Sequence, residues 1–167
     1  MQALCMGLNN IKGVRSDFVT ALLEERRNNG PFKSIQSFIY RLPEKFRKRE
    51  VLSQLVYAGA LDQFGYNRQE LSTALDDLIE AASFGDLILN ETKIKKVEDM
   101  PSTEKLTFEK EAIGVNLSGH PLDVYESMIA SEHLQHIADL TKKDQKATFV
   151  GIIDNIRQTR TKKGDLM

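Results

Sequence analysis

Five consecutive residues, Ile11-Lys12-Gly13-Val14-Arg15, carry the clearest chemical pattern in the sequence. They fall between a short helical piece, about Leu4 to Ile11, and a helix that begins at Ser16. Two helices joined by a Gly-apolar hairpin can read a phosphate, because the tight turn aims successive backbone N–H groups, at a helix N-terminus, toward one anionic oxygen. In that arrangement Val14 pins the hairpin to the core and the N–H groups around Gly13 and Val14 are the directional donors. Ser16 opens the helix, and Lys12 and Arg15 each meet a phosphate. Lys-Gly-Val-Arg is common on its own and also fits a plain interhelical turn. A second helix-turn-helix unit, at roughly 35–58, carries Lys45, Arg47, Lys48 and Arg49 at its turn. Two such units on a pseudo-twofold point to the backbone of duplex DNA, contacted without sequence preference.

Other candidate chemistry is sparse. His120 stands beside Pro121 and three residues before Asp123, where a helix stop followed by a helix start explains it better than catalysis. His133 and His136 can share a helix face, yet no third ligand is evident, so no metal and no cofactor are expected. The carboxylates form no cluster of the kind two-metal phosphoryl transfer needs. A single cysteine, Cys5, excludes an internal disulfide framework and fits a reducing cytoplasm.

The elements that must position these residues are read from periodicity. A helix over about 16–29 carries Phe18, Val19, Leu22 and Leu23 and stops at Asn29-Gly30-Pro31. Ser34 caps a second helix, ended by Pro43. A third places Val51, Leu52, Leu55 and Val56 on one stripe and stops at Gly59. Asn67 caps a fourth, where Leu71, Ala74, Leu75, Leu78, Ile79 and Ala82 repeat with the helical period until Gly85. Residues 84–102 read as an extended loop. A helix then fits Thr103–Leu117, with Leu106, Ile113 and Leu117 on one side and Phe108, Ala112 and Val115 on the other. A short helix follows at about 122–131. From Ala147 to Arg157 the sequence becomes β-branched and strand-like, and 162–165 reads as a turn into a second strand, so the chain is expected to stop inside a β domain.

The whole chain has 167 residues, 41% of them apolar, enough for a hydrophobic core. Its net charge of −1 hides three zones: 10 basic against 6 acidic residues over 1–62, 6 against 14 over 63–138, and 7 against 4 over 139–167. Both basic ends suit an anionic polymer, and solvated helix faces explain them as well. No apolar run approaches the roughly 20 residues of a membrane span, and no signal peptide is visible, so a soluble, intracellular protein is expected.

Longer motifs carry a family resemblance. Gly7-Leu8-Asn9-Asn10-Ile11-Lys12-Gly13-Val14, Gly30-Pro31-Phe32-Lys33-Ser34, Ala58-Gly59-Ala60-Leu61-Asp62, Glu109-Lys110-Glu111-Ala112-Ile113-Gly114 and Leu117-Ser118-Gly119-His120-Pro121-Leu122-Asp123 follow in order. Together they resemble the bacterial replicative polymerases of the DNA polymerase III alpha subunit family, along nearly the whole chain. The resemblance implies a mainly α fragment, C-terminal to the catalytic palm and fingers and itself inactive. It implies a tandem helix-hairpin-helix DNA-binding domain over 1–83, a loop and helical connector over 84–138, and over 139–167 the first strand or hairpin of a truncated OB-fold. The family's hairpin usually reads Gly-Val-Gly. Arg15 replaces the last glycine, where a left-handed residue with a side chain costs roughly 1 kcal/mol or more. The family also often carries a sliding-clamp-binding peptide near Phe84-Gly85-Asp86-Leu87-Ile88. There Leu87 and Ile88 supply the apolar pair and Phe84 stands where a glutamine is usual; a loop packing its own apolar residues fits equally.

The resemblance therefore implies duplex DNA, other replisome subunits and the sliding clamp as partners, with a protein-interaction module as the alternative to a DNA-binding one. A helix-hairpin-helix glycosylase would place a catalytic Asp, often with Lys, just beyond the hairpin, and no convincing candidate follows Arg15.

Overall fold

The start of the first long helix is set by backbone geometry rather than by a side-chain cap. In the computed structural model, which describes residues 6–85, 92–132, 134–135, 146–153 and 155–159, α1 (Ser16–Asn29) follows an Arg15 in extended conformation, φ −86° and ψ 157°. Any residue adopts that backbone, so the strain expected of a left-handed Arg15 is absent. The left-handed residue of the hairpin is Gly13, at φ 79°. The preceding helical piece is shorter than expected, a single 3-10 turn at Leu8–Asn10.

The other helices start and stop on local chemistry. Ser34 Oγ accepts the Ser37 N–H and opens α2 (Ile35–Arg41), which ends one residue short of Leu42-Pro43. α3 (Arg49–Tyr57) gives way to a turn at Gly59. Asn67 and Glu70 form a reciprocal capping box at the start of α4 (Arg68–Phe84). The loop over 92–100 has no regular structure and is tied to that cap by the Asn67 side-chain amide, which donates to the Val97 carbonyl at 2.8 Å.

α5 (Ser102–Ile113) stops four residues earlier than the periodicity predicts. Gly114 turns left-handed at φ 81° and returns its N–H to the Lys110 carbonyl, so Val115 and Leu117 leave the helix and are exposed.

The chain divides into two units, Met1–Gly119 and His120–Met167. In the first, α4 packs on α2 and α3 while α5 packs on α3. The apolar stripes of α1 to α4 meet in one core that includes Phe18, Ile39, Leu52, Leu71, Leu75 and Leu78, and Ile113 of α5 packs against it. Ile11 and Val14 are buried in it, which fixes both sides of the hairpin turn.

In the second unit a 3-10 turn at Asp123–Tyr125 leads into α6 (Glu126–Ser131), where one helix was expected. Residues 146–153 and 155–159 form no strand. Within that stretch the described backbone bonding is the Thr148 carbonyl accepting from Gln135 N–H, and a strand needs a neighbour to bond its alternate backbone groups. Cys5, Asp86, Leu87, Ile88, His133, His136 and the turn at 162–165 lie outside the described residues.

Candidate nucleic-acid interface

The hairpin's N–H groups divide into two sets. Lys12 N–H donates to the Ala112 carbonyl at 2.7 Å and Val14 N–H to the Ile11 carbonyl at 3.0 Å, so neither is directed at a ligand. This corrects the expectation that the groups around Gly13 and Val14 serve together. The N–H groups of Gly13, Arg15 and Ser16 have no partner among the described residues. They lie at the N-terminus of a fourteen-residue helix, where the backbone dipoles favour an anion. The Lys12 side chain is exposed, and that of Arg15 is 84% exposed, 3.4 Å from the Asp17 carboxylate. Asp17 also accepts the N–H of Phe18. The glycine gives the turn its shape without crowding: a Cβ on Gly13 would lie 3.9 Å from Gln54 Cγ, ordinary contact distance.

The basic turn between α2 and α3 is less open than its four cations suggest. Arg47 spends its guanidinium on three backbone carbonyls, Tyr40 at 2.7 Å, Leu42 at 2.9 Å and Ala82 at 2.9 Å, and so braces the end of α2 against α4. Arg49 pairs with Asp76 at 2.7 Å and reaches the Ser72 carbonyl. Lys45 lies over the Phe46 ring, 4.6 Å from its centre. Lys48 is exposed and has no ion pair among the described residues. Of the expected clamp peptide, Phe84 and Gly85 are described, and Phe84 is 67% exposed at the end of α4.

The first unit also holds a polar network, centred on the buried Arg68 and Glu109, whose pairing the sequence reading did not single out. Arg68 donates to the Tyr57 carbonyl at 3.0 Å, to Asp62 at 3.1 Å and to Glu109 at 3.2 Å. Glu109 is 1% exposed, and its second oxygen accepts Leu117 N–H at 2.6 Å, Ser118 N–H at 2.9 Å and the Ser118 hydroxyl at 3.2 Å. Burial pushes the Glu109 carboxyl up, but the Ser118 and Leu117 N–H groups and Arg68 outweigh it and hold it below the usual carboxylate range. Burial acts against the charge of Arg68 as well, and Asp62 and Glu109 overcome that and raise it. A signal for this pair was present in the sequence. Arg68 stands one turn ahead of Leu71 in line with its apolar stripe, and Glu109 falls between Leu106 and Ile113 in another, positions where a charge survives only when paired.

A second arginine, Arg41, holds the corner between α1 and α2. It reaches Glu25 at 2.8 Å and the Gly30 carbonyl at 2.8 Å, and lies over the Phe32 ring. In the second unit His120 is a turn residue: its Nδ1 accepts the Leu122 N–H, and its own N–H donates to Asp123. Among the described residues no group of three or more His, Cys, Asp or Glu could hold a metal ion, and no helix is long and apolar enough to cross a membrane.

A tight glycine turn with unpartnered N–H groups ahead of a long helix is the geometry of a helix-hairpin-helix module, and residues 1–71 match the family model for the helix-hairpin-helix motif. Nearly the whole chain is similar to curated proteins named DNA polymerase III subunit alpha. That of Streptococcus pyogenes serotype M6 is 35% identical over 160 residues, 94% of this chain. Those of Borreliella burgdorferi and Deinococcus radiodurans are 32% and 31% identical over 95% and 99% of it. The chain is therefore homologous to a segment of DNA polymerase III alpha subunits, as its motifs led us to expect, and it spans 14–16% of the length of these relatives.

Proposed function

We propose that this chain is a non-catalytic, DNA-binding and scaffolding segment of a replicative, DNA-directed DNA polymerase, acting in the cytoplasm. It holds duplex DNA by the phosphate backbone, without sequence preference. The observation that carries this reading is the hairpin, where the N–H groups of Gly13, Arg15 and Ser16 have no partner among the described residues and the side chains of Lys12 and Arg15 are exposed. The N–H groups give direction, and Lys12 and Arg15 give charge that displaces counterions. Val14 anchors the turn from below. At the second turn Lys45 and Lys48 extend the contact, while Arg49 joins by exchanging Asp76 for a phosphate and Arg47 keeps the turn in shape.

Each phosphate neutralised contributes about −0.9 to the slope of log affinity against log salt, so replacing Lys12 and Arg15 by Ala flattens that slope by up to about 2. Fluorescence anisotropy of a labelled duplex at several salt concentrations measures it. An unchanged slope in a folded double mutant removes the hairpin from the DNA site.

The same reading divides the chain at 83 and 138 and takes 139–167 as the start of an OB-fold. The exposure of Phe149, Ile152, Ile153 and Ile156 supports a strand that awaits neighbours. A second role, as an interaction module for the sliding clamp and other replisome subunits, is favoured by the exposure of Phe84 beside Asp86, Leu87 and Ile88. Calorimetry with the cognate clamp tests it, and equal heats from the intact chain and a Leu87→Ala, Ile88→Ala double mutant refute it.

A further inference from the structure

We infer that Glu109 is a positioning residue for the hairpin, acting through α5 although it touches no part of the hairpin itself. The inference rests on the reading of that hairpin as the DNA contact.

The path is short and made of named bonds. The last four carbonyls of a helix have no partner within it, and α5 gives one of them, that of Ala112, to the N–H of Lys12, the residue before the left-handed Gly13. Ala112 is buried, and that bond at 2.7 Å sets where the turn begins. Its placement depends on the rotation and height of α5 against α3. Stacking of Phe108 on Tyr57, ring centres 4.4 Å apart, holds the helix flat against α3 and tolerates sliding. The Glu109 carboxylate does not. One oxygen is fixed by Arg68, itself tied to the Tyr57 carbonyl and to Asp62 at the turn between α3 and α4. The other is fixed by Leu117 and Ser118, which folds the chain beyond Gly114 back onto α5. Glu109 thus locks the last turn of α5 from both sides, three residues before the carbonyl that Lys12 uses.

The test compares the full chain with Glu109→Gln, which keeps the shape but turns either an amide or a neutral oxygen toward groups that need a carboxylate. The milder Ser118→Ala, which removes only the hydroxyl bond, serves if the first variant fails to fold. Amide hydrogen exchange is read at Lys12 and at Leu75, a core position in α4. Losing a charge-assisted hydrogen bond speeds a local opening about tenfold or more. The expected result is that Lys12 exchanges at least about tenfold faster in Glu109→Gln, and by a smaller factor in Ser118→Ala, while Leu75, which reports the loss of global stability, speeds up clearly less than Lys12 in each. An unchanged Lys12 amide, or equal acceleration at Leu75, overturns the inference, the second because it marks a merely global loss of stability. Duplex anisotropy on the same samples expects weaker binding in Glu109→Gln with an unchanged salt slope, since both cations remain. If the unsubstituted chain binds no duplex, the DNA reading fails, and the exchange comparison still decides whether Glu109 sets the turn.

Discussion

Gly59 and Gly13 have nearly the same backbone, φ 73° and 79°, but differ in what surrounds them. A Cβ on Gly13 meets only the side chain of Gln54 at contact distance, whereas one on Gly59 runs into the Arg68 guanidinium and Asp62. Gly13→Ala should therefore lower stability by about 1 kcal/mol, the strain of a left-handed residue with a side chain. Gly59→Ala should lower it by about 3 kcal/mol, because it also dislodges a buried ion pair. Thermal melts of the two variants check this, and equal losses would contradict it. At this scale the sequence was legible where residue type alone decides: Val14 is apolar beside a turn and is buried. It was not legible for Arg47, whose three carbonyl partners come from α2, the residue after it, and the end of α4. Nothing local distinguishes a cation that faces solvent from one that braces two helices.

Helix positions were readable because caps and stops are local, as with Ser34, Asn67 and Gly85. The end of α5 was misread because Leu117 continues the apolar period, while Gly114 and the pull of Glu109 on the 117–118 backbone end the helix first. The same carboxylate makes α5 sensitive to acid. Its pKa is held below the ordinary value of 4.5, so the stability it contributes is fully present above that value and is lost as pH falls through the lower folded value. Denaturant melts from pH 7 down to about 3 should show the chain well above Glu109→Gln in stability at neutral pH, with the gap closing below about pH 4. A gap that stays constant with pH would mean that the carboxylate charge contributes nothing. The low Glu25 and Asp99 carboxyls titrate in both proteins and cancel in the comparison.

At the scale of the molecule, the motifs that led to the polymerase relatives turn out to be mostly scaffold. Gly30-Pro31-Phe32 is the corner that Arg41 holds, Ala58-Gly59-Ala60-Leu61-Asp62 is the turn around Arg68, and Glu109 and Leu117-Ser118 are the two sides of one clamp. Sequence can supply the family through such motifs without disclosing their physical role, because the partners that define it lie 41 residues apart for Arg68 and Glu109. All of these bonds fall within the first unit, so residues 1–119 expressed alone should melt in a single cooperative transition within a few degrees of the full chain. A broad or missing transition would show that the second unit is needed for folding. The bond between Lys12 and Ala112 has one more consequence. It joins positions a hundred residues apart in the chain, and a ribosome adding roughly 5–20 residues per second delivers the second partner about 5–20 seconds after the first. The newborn hairpin therefore waits seconds for the helix that completes it. The final shape of the turn is thus acquired late, well after the turn itself has been synthesised.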